Sequence, residues 1–112
     1  MSELIKLKHE FAKSSDFLVA LGDKKRQNII IALMNQKVIL RGLQVTDLVE
    51  VTGLSRPAVS HHLKILKDVN LVDYRREGTK NFYYLTHENK EFKKMKLLSE
   101  HVMEVVKCNR QI

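Results

Sequence analysis

Within the stretch VTDLVEVTGLSRPAVSHHLKILKDVN, Val45 to Asn70, a helix must stop and start again inside three residues, and this constrains the fold more than any other feature. Thr46 is a good N-cap for a short helix over DLVEVT. Gly53 can take the left-handed conformation that ends it. Ser55 then caps a second helix, and Pro57 is tolerated because it falls in the first turn. Val59, Leu63 and Leu66, at i, i+4 and i+7, give that helix an inward face, and Lys67 and Asn70 close it. Two helices joined through Thr52-Gly53-Leu54 make a helix-turn-helix.

The hydrophobic period then changes. Val72 and Tyr74 alternate with polar residues, as do Phe82 and Tyr84, which predicts two strands with Phe82 and Tyr84 in the core. Gly78 in EGTK supplies the turn between them, so a β-hairpin follows the helix-turn-helix directly, as a wing.

The flanks read as helices. Leu4, Leu7, Phe11, Leu18 and Leu21 recur at helical spacing, with Ser14 in register, along a seam narrow enough for helix–helix contact. Gly22 breaks that helix and Asp23 caps a second one, whose inward stripe is Ile30, Leu33 and Met34. KVILRGLQV is a connector with a short strand at Gln44. The C-terminal stripe Phe92, Met95, Leu98, Val102 and Val105 has a period near 3.5. The expected fold is mainly α with a β-hairpin wing, a winged helix-turn-helix in one domain over residues 1–112. Its helix-turn-helix runs over about 46–70, the wing over about 71–86, and the long helices over about 3–21 and 89–108.

On the second helix of the motif, Arg56, Ser60, His61 and Lys64 stand opposite Val59. One helix fits a major groove, and short polar side chains near its N-terminus reach base edges. Arg56 can pair with guanine, Ser60 and His61 with a base or a phosphate, and Lys64, a turn further on, with phosphate. Ser55 borders the same edge, and Arg75, Arg76 and Lys80 make the wing basic. The net charge of +7 agrees with a polyanionic partner, double-stranded DNA. His62 falls nearer the core and reads as a boundary imidazole bonded to a carbonyl.

The one cysteine, Cys108, excludes an intramolecular disulfide and fits a reducing compartment. No signal peptide is read at the N-terminus, and the longest apolar run, Ile29–Met34, is too short to span a bilayer. These features predict a cytoplasmic protein without membrane attachment. No nucleophile–base pair, phosphate loop or carboxylate cluster can be assembled, so the chain is not expected to be an enzyme. The competing class is a winged helix that binds another protein rather than DNA.

LGDKKRQNIIIALMNQ, VSHHLKIL and RREGTKNFYYL, from about Leu21 to Thr86, resemble the ArsR/SmtB family of bacterial winged-helix repressors. The resemblance implies a homodimer joined by the first and last helices, with Leu4, Leu7, Phe11, Leu18, Met95, Leu98, Val102 and Val105 at the interface. It also implies repression at an operator until an inducer binds, with Ser60 and His61 among the DNA contacts. Two such helices in consecutive major grooves, about 34–36 Å apart, call for an imperfect palindrome.

Many family members bind soft metals through paired cysteines on the first helix of the motif. Here GLQVTDL places Gln44 and Thr46 at those positions, so that site is absent. Others bind zinc, cobalt or nickel through His and carboxylate ligands on the last helix. The candidates are His87, His101 and Glu104, with Glu100 nearby, but the four-ligand pattern falls on His87, Asn89, Glu100 and Met103 and does not fit. No cofactor is assigned, the inducer is left unidentified, and Cys108 stands as a lone candidate for redox sensing.

Overall fold

The computed structural model describes residues 2–35, 41–88 and 90–110, with Arg110 described by its backbone alone. The elements follow in the order α1 (Ser2–Leu21), α2 (Lys24–Met34), α3 (Val45–Thr52), α4 (Arg56–Asp68), β1 (Val72–Glu77), β2 (Lys80–Leu85) and α5 (Lys90–Arg110). This is the expected winged helix-turn-helix with long flanking helices.

The local signals act largely as expected. Asp23, in extended conformation, accepts from the N–H groups of Lys25 and Arg26 at 2.9 and 3.1 Å and caps α2. Those N–H groups, that of Arg26 first, hold its carboxyl below the usual aspartate range. Gly53 adopts φ 73° and ends α3, with its N–H on the Val49 carbonyl at 2.9 Å. The Ser55 hydroxyl accepts from Ala58 N–H at 3.3 Å at the start of α4. Asn70, at φ 62°, closes that helix: its own N–H reaches the Lys67 carbonyl and that of Leu71 reaches Leu66, both at 3.0 Å. One cap differs. The helix over DLVEVT, expected with Thr46 as its N-cap, begins at Val45 with Gln44 as the cap, because the Asp47 carboxylate accepts from the Gln44 N–H at 2.9 Å.

The core joins α1 (Phe17, Ala20), α2 (Ile29, Ile30, Leu33), α3 (Leu48), α4 (Val59, Leu63, Leu66) and the root of the wing (Leu71, Val72). One expected face shifts and one seam divides. In α2, Ile29 is buried in place of Met34, which is 56% exposed. In α1, the buried stripe is Leu7, Ser14, Phe17 and Ala20, whereas Leu4 and Phe11 face outward. The helices α1 and α5 run antiparallel: Glu3 and Glu10 meet His101 near one end, and the Phe17 and Phe92 rings meet edge to face at 5.1 Å near the other.

The hairpin pairs Val72 with Leu85 and Tyr74 with Tyr83 across a two-residue turn in which Gly78 takes φ 63°. Pairing across an antiparallel ladder puts Val72, Tyr74, Tyr83 and Leu85 on one face. Val72, Tyr83 and Leu85 pack against the core. Phe82 and Tyr84, expected in the core, lie on the opposite face, Phe82 under the Arg75 guanidinium at 5.3 Å and Tyr84 stacked on His87 at 6.2 Å.

The phase of the wing is set by the connector. The strand expected at Gln44 is a single bridge at Leu43, whose N–H and carbonyl exchange 2.8 Å bonds with Tyr83. Its neighbour Gly42, at φ 82°, has no room for a side chain: a Cβ there would lie 2.8 Å from the Tyr83 carbonyl oxygen. Residues 37–40 of the predicted connector lie outside the described residues.

Candidate nucleic-acid interface

Helix α4 divides its residues sharply. Val59, His62, Leu63 and Leu66 are buried, while Arg56, Ser60, His61 and Lys64 are exposed. Pointing the apolar stripe into the core therefore turns the polar edge out to solvent, where a groove of DNA can receive it. Ser55, at the head of this edge, caps the helix through its oxygen and keeps its O–H free to donate.

The wing continues the surface. Arg56, Thr79, Lys80 and Asn81 line one cleft of 220 Å³ with Gln44, Val45 and Thr46 at the start of α3, so the wing tip and the head of α4 share one face. The three basic wing residues are not equivalent. Lys80 is exposed at the tip, opposite Glu77. Arg76 donates from Nε to the Gly78 carbonyl at 3.1 Å, which holds it along the turn. Arg75 is committed within the protein, with Nε on Glu77 at 2.9 Å, Nη2 on the Arg41 carbonyl at 3.0 Å and its guanidinium over Phe82.

His62 departs from its expected bonding. Its ring is buried as read, but Nδ1 faces the Arg26 guanidinium at 3.2 Å rather than a carbonyl. Burial first, then the charges of Arg26, His61 and Lys25, pushes its pKa down, with Asp23 opposing. Sequence reasoning did not foresee this pair, because its members are 36 residues apart.

The metal candidates do not converge. His87 is exposed and stacked on Tyr84, and Glu104 is exposed. His101 pairs with α1 instead of Glu104: Nδ1 lies 3.0 Å from both Glu10 carboxylate oxygens and Nε2 lies 2.7 Å from Glu3. The two ring nitrogens point apart, so these carboxylates cannot meet the imidazole at one ion. Among the described residues no group of three His, Cys, Asp or Glu side chains can hold a metal. At the other family position, Gln44 and Thr46 offer neutral oxygen and nitrogen donors, which do not suit a soft ion. Cys108 is exposed near the end of α5.

The bridge of His101 to Glu10 and Glu3 has a calculable sign. Hydrogen bonding to Glu10 first, and then to Glu3, raises the His101 pKa, and hydrogen bonding to His101 lowers that of Glu3. Stabilisation from His101 is therefore full below its unfolded value near 6.5 and is lost as pH rises through the raised folded value. That from Glu3 is present above its ordinary value and is lost as pH falls through the lowered one. The melting-temperature difference between the wild type and His101→Gln should therefore be largest below the unfolded value near 6.5, at about pH 5.5–6, and shrink as pH rises through the raised folded value. A pH-independent difference would show that the imidazole acts only by packing.

The sequence profile of bacterial regulatory proteins of the arsR family matches residues 23–74. An arsenical resistance operon repressor of Staphylococcus xylosus is 36% identical over 78 residues, which cover 70% of this chain and 70% of that protein. The chain belongs to the arsR family. A transcriptional repressor SmtB homolog of Synechocystis sp. is 36% identical over 90 residues, 80% of this chain and 64% of that relative's length. Among solved structures, the transcriptional regulator HlyU of Vibrio vulnificus superposes with a TM-score of 0.64 at 30% identity, over 88% of this chain and 97% of the other. As an arsR-family protein, the chain is a DNA-binding transcriptional regulator. Among the described residues no helix is long and apolar enough to cross a membrane.

Proposed function

We propose that the chain acts as a homodimeric repressor, presenting two copies of α4 to consecutive major grooves of an imperfectly palindromic operator. The observation that carries this reading is the edge of α4, where Ser60, His61 and Lys64 are all free to solvent on the face shared by Arg56 and Lys80. In this assignment Ser60 and His61 read bases, Arg56 stands at the groove between helix and wing, and Lys64, Arg76 and Lys80 follow phosphates. The bonds of Arg75 to Glu77 and to the Arg41 carbonyl leave it a supporting part.

The dimer is supported by shape and by apolar exposure. The radius of gyration is 17.3 Å, against about 13 Å for a rounded domain of ~100 residues, and the longest dimension is 60 Å. Leu4, Ile5, Phe11 and Val19 of α1 and Leu97, Met103 and Val106 of α5 remain exposed. Of the residues expected at the interface, Leu7 and Leu98 are already buried within the chain, and Met95, Val102, Val105 and Leu18 are half-buried. The second subunit is therefore expected to cover the outer sides of α1 and α5, Leu4 and Phe11 included.

Binding to the DNA just upstream of its own gene tests the reading. A dimer that neutralises ~6–10 phosphates should lose about 10³–10⁵-fold in affinity between 50 and 200 mM salt. A flat salt response would instead support the protein-binding winged helix. Divalent metals, oxidant and chelator added to the complex test the inducer.

A further inference from the structure

We propose that Arg26 and His62 are positioning residues that tie the end of α1 to α4 and thereby fix the angle at which α4 presents Ser60 and His61. The proposal rests on the reading of α4 as the DNA-recognition helix.

Helix α1 ends without a basic residue in its last turn, so its terminal carbonyls and the negative end of its dipole need partners from elsewhere. Helix α2 supplies them. Arg26 donates from Nε to the Ala20 carbonyl at 2.8 Å and from Nη2 to Val19 at 3.2 Å, and Gln27 donates to Leu21 at 2.7 Å. The remaining arm of the guanidinium, Nη1, meets His62 Nδ1 at 3.2 Å. The planar fork serves the two carbonyls and the imidazole from three separate nitrogens, which a single ammonium cannot do in the same directions. A guanidinium has no acceptor, so Nδ1 must present its lone pair and the ring must be neutral with its proton on Nε2.

Both side chains are buried, Arg26 at 8% and His62 at 9% exposure, so this bond is shielded from competing water. It also does something that the apolar stripe of α4 cannot. Burial of Val59, Leu63 and Leu66 is non-directional and tolerates small rotations of the helix, whereas a hydrogen bond at His62 does not. His61 is the next residue, with its ring 5.6 Å away, so a rotation at His62 displaces the groups that face DNA. Because α1 is also the helix assigned to the dimer, the link passes the setting of one subunit against the other to the recognition edge.

The same geometry makes the link proton-sensitive. A proton on Nδ1 would set N–H against N–H and charge against charge. The charged and titratable groups facing the ring are Arg26, Lys25 and Asp23 on the α2 side and His61 on its own helix, and of these only Asp23 favours the proton. The neutral ring is therefore the linked state. The link is intact above the unfolded value near pH 6.5 and is lost as pH falls through the lowered folded value.

The test compares wild type, His62→Asn and Arg26→Lys on the upstream DNA fragment and on random DNA from pH 7.5 down to the pH at which NMR shows the His62 ring protonated, with melting curves alongside. Asn keeps an acceptor near the position of Nδ1 but does not titrate. Relative to His62→Asn, the specific-to-random affinity ratio of the wild type should fall by up to about tenfold per pH unit once pH drops below the folded His62 value. His61 is present in both proteins, so its own titration cancels. Arg26→Lys should lower the ratio at pH 7.5 while melting remains cooperative. Identical pH profiles for wild type and His62→Asn would overturn the proposal. A second measurement needs no DNA and so decides the coupling separately from the regulator reading: in NMR spectra, Arg26→Lys should shift the Ser60 and His61 amides and redistribute the His62 tautomers. Unmoved α4 amides with an unchanged tautomer would overturn it.

Discussion

Phe17→Ala is expected to lower the free energy of unfolding by about 3–5 kcal/mol, read as a lower urea midpoint at unchanged slope. Phe17 is 2% exposed, and its ring contributes to the core while meeting Phe92 of α5 edge-on at 5.1 Å. Truncation removes a whole aromatic from a site between helices whose backbones are held by their own ladders, so the cavity closes only in part. The same change releases the start of α5 from α1. A loss below about 1 kcal/mol would mean that α5 moves in to fill the space, and that the α1–α5 pair is softer than its packing indicates.

The second large effect concerns DNA. Ser60→Ala and His61→Ala should each weaken operator binding by about 1–3 kcal/mol and alter sequence preference, whereas random DNA should be little affected. Lys80→Ala should weaken all sequences alike and reduce the salt slope by about one. The contrast follows from placement: Ser60 and His61 stand on a helix edge that can enter a groove, and Lys80 stands at a hairpin tip. Competition binding with operator and scrambled duplexes checks it. Equal losses on both duplexes for all three variants would refute the division between base-reading and phosphate-following residues.

The helix-turn-helix and the wing were legible because their signals are local. Asp23, Gly53, Ser55, Asn70 and Gly78 each act within a few residues, and the structure uses each of them as a cap or a turn. The misplaced faces arose where two answers fit one pattern. In α1, apolar residues occupy two sides of the helix, and the single seam read from Leu4 to Leu21 did not separate the inner side, with Leu7 and Phe17, from the outer side, with Leu4 and Phe11. In Phe82-Tyr83-Tyr84, an alternation of two can be read in either phase, and the bridge from Leu43 selects Tyr83. The exposed edge of α4 followed from the buried stripe alone. The partners of His62 and His101 did not, because each lies on a helix far away along the chain.

The Leu43–Tyr83 bridge has a mechanical consequence. A two-stranded ribbon would flex along its whole length, but this one is clamped near its base on the side of the core. Bending is thereby confined to the outer residues about Gly78, while the base of the ribbon keeps a fixed setting against the core. The hairpin is thus a stiff stem with a short yielding tip, so that a contact made at its outer end can adjust while the stem holds its place.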